Sequence, residues 1–158
     1  MRRRQQKSMR GRRSVPKKES PAGHQYLRST PQQPFSDAVL SGDTLYLSGR
    51  IGLIPGSEKV PDDVETEARY VLEDVRSVLS RADMKMSDLV YVQVFCTDVS
   101  LWHRFNSVYQ TFFDGQLPAR AFLGSGPLLF GAHFEIQGIA IKRRSKAGRG
   151  STPMTGSL

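Results

Sequence analysis

The chain has a single cysteine, Cys96, in 158 residues. No intramolecular disulfide can form, and no cysteine cluster can hold zinc. The histidines are few and scattered, and His103 and His133 lack metal-ligand spacing. No apolar run approaches the roughly 18–20 residues that cross a bilayer as a helix. The opening stretch MRRRQQKSMRGRRSVPKK is not followed by an apolar segment, so it does not read as a secretory signal and a cytoplasmic location is expected. Hydrophobic residues make up only 38% of the chain, fewer than a fully folded domain usually carries. Part of it is therefore expected not to fold. There is no internal sequence repeat.

Charge tells the two parts apart. Residues 1–28 hold ten Lys or Arg and one Glu, and residues 142–158 hold five basic residues and no acid. Residues 29–141 hold eight basic and fourteen acidic residues. The net charge of +8 thus belongs to the ends, and the middle is mildly acidic. A segment with almost nothing to bury cannot offset its ordering entropy. This divides the chain into a disordered basic tail over 1–28, a body over 29–142 and a second disordered basic tail over 143–158. A basic nucleic-acid-binding fold is disfavoured. Basic tails on an acidic body retain a salt-dependent attraction for phosphates; a solubilising role is their other reading. A body this small gains from oligomerisation.

Val39–Leu40 and Leu45–Ser48 flank a Ser-Gly-Asp-Thr turn and read as a hairpin. A loop over Gly49–Pro61 follows. Asp62 or Asp63 caps a helix whose first turn carries Glu65 and Glu67, where the helix dipole favours acids. Val64, Ala68, Val71, Leu72, Val75, Val78 and Leu79 give that helix one apolar side to about Ala82. Leu89–Thr97 is β-rich and reads as a buried strand. Trp102, Phe105, Val108, Tyr109, Phe112 and Phe113 mark a second helix ending near Gly115, its aromatics in the core. Short strands over Ala121–Gly124 and Phe134–Ile141 complete an α+β arrangement, a single sheet with both helices on one face.

Few residues stand out chemically. In Pro118-Ala119-Arg120 a stiffened strand entry presents a guanidinium, whose fork binds carboxylates bidentately; a solvated surface salt bridge is the commoner fate of an arginine. Glu135 lies inside FEIQGIAI on one face with Gln137, Ile139 and Ile141. A carboxylate there either activates water or sits in an ion pair or at an edge. Ser48-Gly49 is either an ordinary turn or a place where backbone amides stay open to a ligand. Asn106 reads as a capping or solvated residue, and Cys96 as a small buried hydrophobe rather than a nucleophile. Gly124-Ser-Gly-Pro lacks the Lys and the following helix of a phosphate loop.

Taken together, PFSDAV at 34–39, LYLSGRIG at 45–52, V-x-V-F-x-T-D at 92–98, FNSVYQTFF at 105–113, LPAR at 117–120 and FEIQGIAI at 134–141 resemble the RidA/YjgF family, also called L-PSP endoribonucleases, in order and spacing. The resemblance covers about residues 30–142. It implies a chorismate mutase-like fold of the AroH type, one mixed sheet with two helices on one face, assembled as a trimeric barrel with clefts between neighbours. It implies hydrolysis of enamine or imine acids of the 2-aminoacrylate and 2-iminobutyrate type to 2-oxo acids and ammonia, without a cofactor. By the same resemblance Arg120 holds the substrate carboxylate and Glu135 orients water, while Ser48, Gly49 and Asn106 line the cleft. Three positions depart from the family pattern. Phe35 stands where active deaminases commonly carry Tyr, Arg50 where Gln usually follows Ser-Gly, and Phe122 where Cys is frequent. Phe35 removes a hydroxyl, Arg50 adds a second cation near the cleft, and Phe122 adds bulk. The expected activity is accordingly weakened or shifted to another acid. Two rivals remain: a non-catalytic trimer that binds a small carboxylate, and RNA binding or cleavage helped by the tails.

Overall fold

Gly42, at φ +59°, closes a two-residue turn between Ser41 and Thr44, a left-handed conformation that glycine adopts without a Cβ clash. The computed structural model describes residues 23–143. The turn joins β2 (Ala38–Ser41) to β3 (Thr44–Ile51), and β1 (His24–Leu27) pairs with the other side of β2. Helix α1 (Val64–Arg81) follows, then β4 (Leu89–Cys96), helix α2 (Trp102–Tyr109), β5 (Ala119–Gly124) and β6 (Phe134–Ile141). The sheet order is β1-β2-β3-β6-β4-β5. All pairs are antiparallel except β4 with β5, which run parallel because α2 carries the chain back between them.

Asp63 caps α1, its carboxylate accepting from the Thr66 amide at 2.8 Å. The apolar side expected from the spacing is the buried side, and it packs on β3, β6 and α2. The sheet meets it with Leu45, Leu47, Val92, Val94, Phe134 and Ile136. Alternation along β6 leaves Glu135, Gln137, Ile139 and Ile141 on the opposite, helix-free face, as the sequence predicts. There Tyr46, Ile139 and Tyr91 lie in register across three strands, with both tyrosines exposed.

Three details differ from the sequence reading. Strand β1 takes residues 24–27 out of the predicted tail, because its backbone pairs with β2 and Leu27 enters the core. The folded body therefore begins before residue 29; the tail expectations for residues 1–22 and 144–158 lie outside the described residues. Strand β5 starts at Ala119, so Arg120 sits within it rather than ahead of it. The second helix gives way at Gln110–Phe112 to a 3-10 turn, and Trp102 lies exposed at its start instead of in the core. Glu67 lies in the first turn of α1 as expected, and it is fully buried there.

Candidate active site

Strand β6 lies between β3 and β4, so Glu135 is not at an edge. Among the described residues its carboxylate has no ion-pair or hydrogen-bond partner, which removes both bland readings of this residue. The carboxylate rests on Gly49, where an added Cβ would fall 1.8 Å from Oε1. The β3–β6 register slips between Leu47 and Arg50, and such an irregularity re-aims the backbone beside it. Glu135 and Gly49 line a cleft of about 540 Å³ together with Phe35, Arg50, Leu129 and Phe130. Ser48 is not in that lining. Its hydroxyl donates to the Ser36 carbonyl at 2.6 Å and its amide to the Asp37 carbonyl at 3.0 Å, which fastens the segment that carries Phe35.

Arg50 reaches the cleft, but not as a free cation. Its Nη1 donates to Asp37 Oδ1 at 2.7 Å and its Nε to Asp74 Oδ2 at 2.5 Å. Asp37 is itself fully buried and accepts from Ser29 Oγ at 2.6 Å and Arg81 Nη1 at 2.8 Å. Burial alone would push the Asp37 carboxyl up; the hydrogen bonds from Ser29, Arg81 and Arg50 outweigh it and hold the group below the ordinary carboxylate range. Two arginines and two aspartates thus balance one another beside the cleft.

Arg120 occupies a different hollow, of about 190 Å³, lined by Trp102, Asn106, Tyr109, Leu117 and Pro118. Among the described residues no acid pairs with it. Its guanidinium lies 4.5 Å from the Tyr109 ring centroid, 5.8 Å from Phe122 and 5.9 Å from Phe105. Aromatic faces hold the cation by its flat side and leave the edge donors for a ligand. Burial pushes the Tyr109 hydroxyl up to about 12, against the opposing pull of the Arg120 charge. Asn106 is buried in the same hollow rather than capping or solvated. Phe122 lines neither cavity and packs on Phe105 at 5.6 Å.

The two groups do not meet within one chain. Arg120 is in register with Val92, on the helix side, whereas Glu135 is in register with Phe95, on the open side. Two strand spacings and three residue steps separate them, roughly 14 Å between Cα positions. A single chain therefore holds two separate features: an unpaired carboxylate in a largely apolar cleft, and an unpaired guanidinium on an aromatic bed. Cys96 takes no part; it is buried, and burial pushes its thiol up, away from the thiolate. Sequence reasoning missed Trp102, Tyr109, Leu129 and Phe130 as lining residues. The first two were hidden in an aromatic helix pattern, and the last two in a Gly- and Pro-rich loop with no period to read.

The profile of the family described as Endoribonuclease L-PSP matches residues 27–142. A rat (Rattus norvegicus) protein named 2-iminobutanoate/2-iminopropanoate deaminase is 36% identical over 109 residues, covering 68% of this chain and 80% of its own length. The structure of E. coli TdcF with bound serine superposes with a TM-score of 0.67 at 30% identity, over 70% of this chain and 90% of that one. The E. coli YjgF structure gives 0.68 at 29% identity, over 75% and 94%. With the sheet, the helices and the placement of LPAR and FEIQGIAI all in agreement, this chain belongs to the Endoribonuclease L-PSP family, the family also known as RidA/YjgF.

Proposed function

We propose that the chain hydrolyses reactive imine acids to 2-oxo acids and ammonia, in a cleft completed by a second copy of itself. The observation that carries this reading is the pair of unpartnered charges, Arg120 and Glu135, each open in its own hollow and too far apart to act within one chain. The helix-free sheet face, with Tyr46 and Tyr91 exposed on it, is the surface that packs against neighbouring copies in a trimer. Arg120 of one copy then faces Glu135 of another. The rat relative bears the name of this activity, and E. coli TdcF binds serine, a small amino acid with the carboxylate such a guanidinium takes.

The chemistry asks little beyond positioning. An imine carbon is already electrophilic, so no protein nucleophile is needed, and an enamine reaches the same state by tautomerising. Arg120 docks the substrate carboxylate as a bidentate pair. Glu135 accepts a hydrogen bond from water, aims it at the imine carbon and takes its proton as the C–O bond forms. That proton passes to the nitrogen to complete the carbinolamine; Glu135 then moves the hydroxyl proton to the amino group as the C–N bond breaks and the C=O forms, and ammonia leaves with the 2-oxo acid. No cofactor enters. Asn106 and Tyr109 shape the carboxylate end; Gly49 and Phe35 shape the water end.

The test is ammonia release from freshly generated 2-aminoacrylate and 2-iminobutanoate. Wild type should accelerate it, and Arg120→Ala and Glu135→Gln should each lose about 100-fold or more in kcat/KM. A folded wild type that gives no acceleration sinks the enzymatic reading. Phe35, which brings no hydroxyl to the cleft, would then favour a trimer that binds carboxylates without turning them over.

A further inference from the structure

We infer that the cleft beside Glu135 accepts an imine acid with a bulky apolar, preferably aromatic, side chain, and that Leu129 and Phe130 select it. This rests on the deaminase reading above and narrows its substrate class. Most of the cleft wall is apolar, from Phe35, Ile51, Leu53, Pro55, Leu129 and Phe130, with Gln33 and Tyr70 its uncharged polar members. Its charged lining is balanced internally: Arg50 by Asp37 and Asp74, and Glu73 by Arg76. Glu135 is the one unpaired charge there among the described residues. A substrate anchored elsewhere by its carboxylate therefore meets a hydrocarbon wall around the water-directing group. At about 540 Å³ the space falls in the range of sites for compact organic ligands.

Exposure and backbone geometry single out the selecting residues. Leu129 is 73% exposed, Phe35 49% and Phe130 48%, an amount of bare apolar surface that marks a binding site when it rims a cleft. Phe130 holds φ +57° and ψ +19°, a left-handed conformation that is sterically costly for a bulky residue. Strain of this kind gathers at ligand clamps, and here it keeps an aromatic ring on the cleft wall. Phe35 brings a second ring, with no hydroxyl, to the same cleft. Two phenyl faces and a leucine suit an aromatic side chain, which prefers offset or edge-on partners.

A D-amino acid oxidase acting on D-phenylalanine or D-alanine supplies the phenyl- and methyl-bearing imines, and semicarbazide trapping reports their loss. Wild type should show kcat/KM at least about tenfold higher for the phenyl imine, the size expected from filling an apolar pocket. In Phe130→Gly that ratio should fall about tenfold. Glycine takes the same φ without strain, so this variant keeps the fold; Leu129→Ser should lower the ratio in the same direction. Arg120→Ala should slow both imines alike, which separates carboxylate anchoring from side-chain selection. A preference for the methyl imine, or a ratio indifferent to Phe130, overturns the inference and leaves the deaminase reading standing. If neither imine is hydrolysed, the deaminase reading has failed and calorimetric titration decides the pocket. Phenylpyruvate binding about tenfold tighter than pyruvate, with the difference lost in Phe130→Gly, supports it; equal affinities, or no binding of either, overturn it.

Discussion

A methyl group added at Gly49 would fall 1.8 Å from Glu135 Oε1, whereas one added at Gly52 would fall 2.2 Å from the Glu67 backbone oxygen. The two collisions look alike and have different consequences. A carboxylate at the end of a flexible side chain can swing aside, but the backbone of a packed helix cannot. Gly49→Ala should therefore cost about 100-fold in kcat, as the water-directing group is displaced, with the urea midpoint nearly unmoved. Gly52→Ala should lower stability by about 2–3 kcal/mol, as expected of overpacking in a core, and act on rate only through the folded fraction. Assay and denaturation of both variants check this, and equal stability losses would mean Glu135 is less free than its surroundings indicate. Phe35→Tyr belongs to the same scale. It returns a hydroxyl to the cleft, and one new hydrogen bond to substrate or water is worth about fivefold in rate, read best on a short imine. Arg120 and Glu135 stood out as candidates through the LPAR and FEIQGIAI motifs; pattern alone made a carboxylate in an apolar strand unusual and left Arg120 an ordinary surface arginine. Asn106 was not: its burial depends on the packing of α2 over the Arg120 hollow, which no spacing within the helix reveals.

Between elements, the sheet and the first helix are joined by a buried acid. Glu67 Oε1 accepts from the backbone amides of His133 and Phe134 at 2.7 and 3.0 Å, and Oε2 meets His133 Nδ1 at 2.7 Å. This ties α1 to the first residues of β6, two residues before Glu135. The Asp37 network does the same for β3, α1 and the segment before β2 through Arg50, Arg81 and Ser29. Asp37→Asn should cost about 2–3 kcal/mol at neutral pH, because a buried guanidinium loses its partner. The pH dependence follows from the direction of the Asp37 shift. Its carboxyl is held below the ordinary value of 3.8, so the unfolded chain binds the proton first as pH falls. Stability from this group is fully present above 3.8 and is lost as pH drops through the depressed value. Urea midpoints of wild type and Asp37→Asn should differ most near neutrality and converge in acid; a gap that widens in acid would contradict the assignment. Both helices and five of the six strands could be read from the sequence pattern. Strand β1 could not, because four residues with two polar side chains carry no pattern, and what orders them is the edge of β2. Glu67 lies in the first turn where it was expected, but no spacing shows its burial: only the docking of β6 makes this acid a ligand for backbone amides.

At the scale of the whole molecule, the separation of Arg120 from Glu135 becomes a statement about assembly. One chain has Arg120 on the helix side of the sheet and Glu135 on the other; under the proposed function, a working site takes the two from different copies. In a closed ring every interface is the same heterologous contact. A site is then intact whenever the copy on one side keeps Arg120 and the copy on the other keeps Glu135. Arg120→Ala and Glu135→Gln homo-oligomers each lack one member at every interface and should be close to inactive. Unfolding and refolding an equal mixture shuffles the chains. A given interface then has about one chance in four of joining the intact half of each variant. Activity should return to about a quarter of wild type, rising and falling with the mixing ratio and greatest at equal amounts. Mixing without unfolding should give less, limited by the rate of subunit exchange. If both residues served one chain's own site, every variant chain would be defective in any company and shuffling would restore nothing.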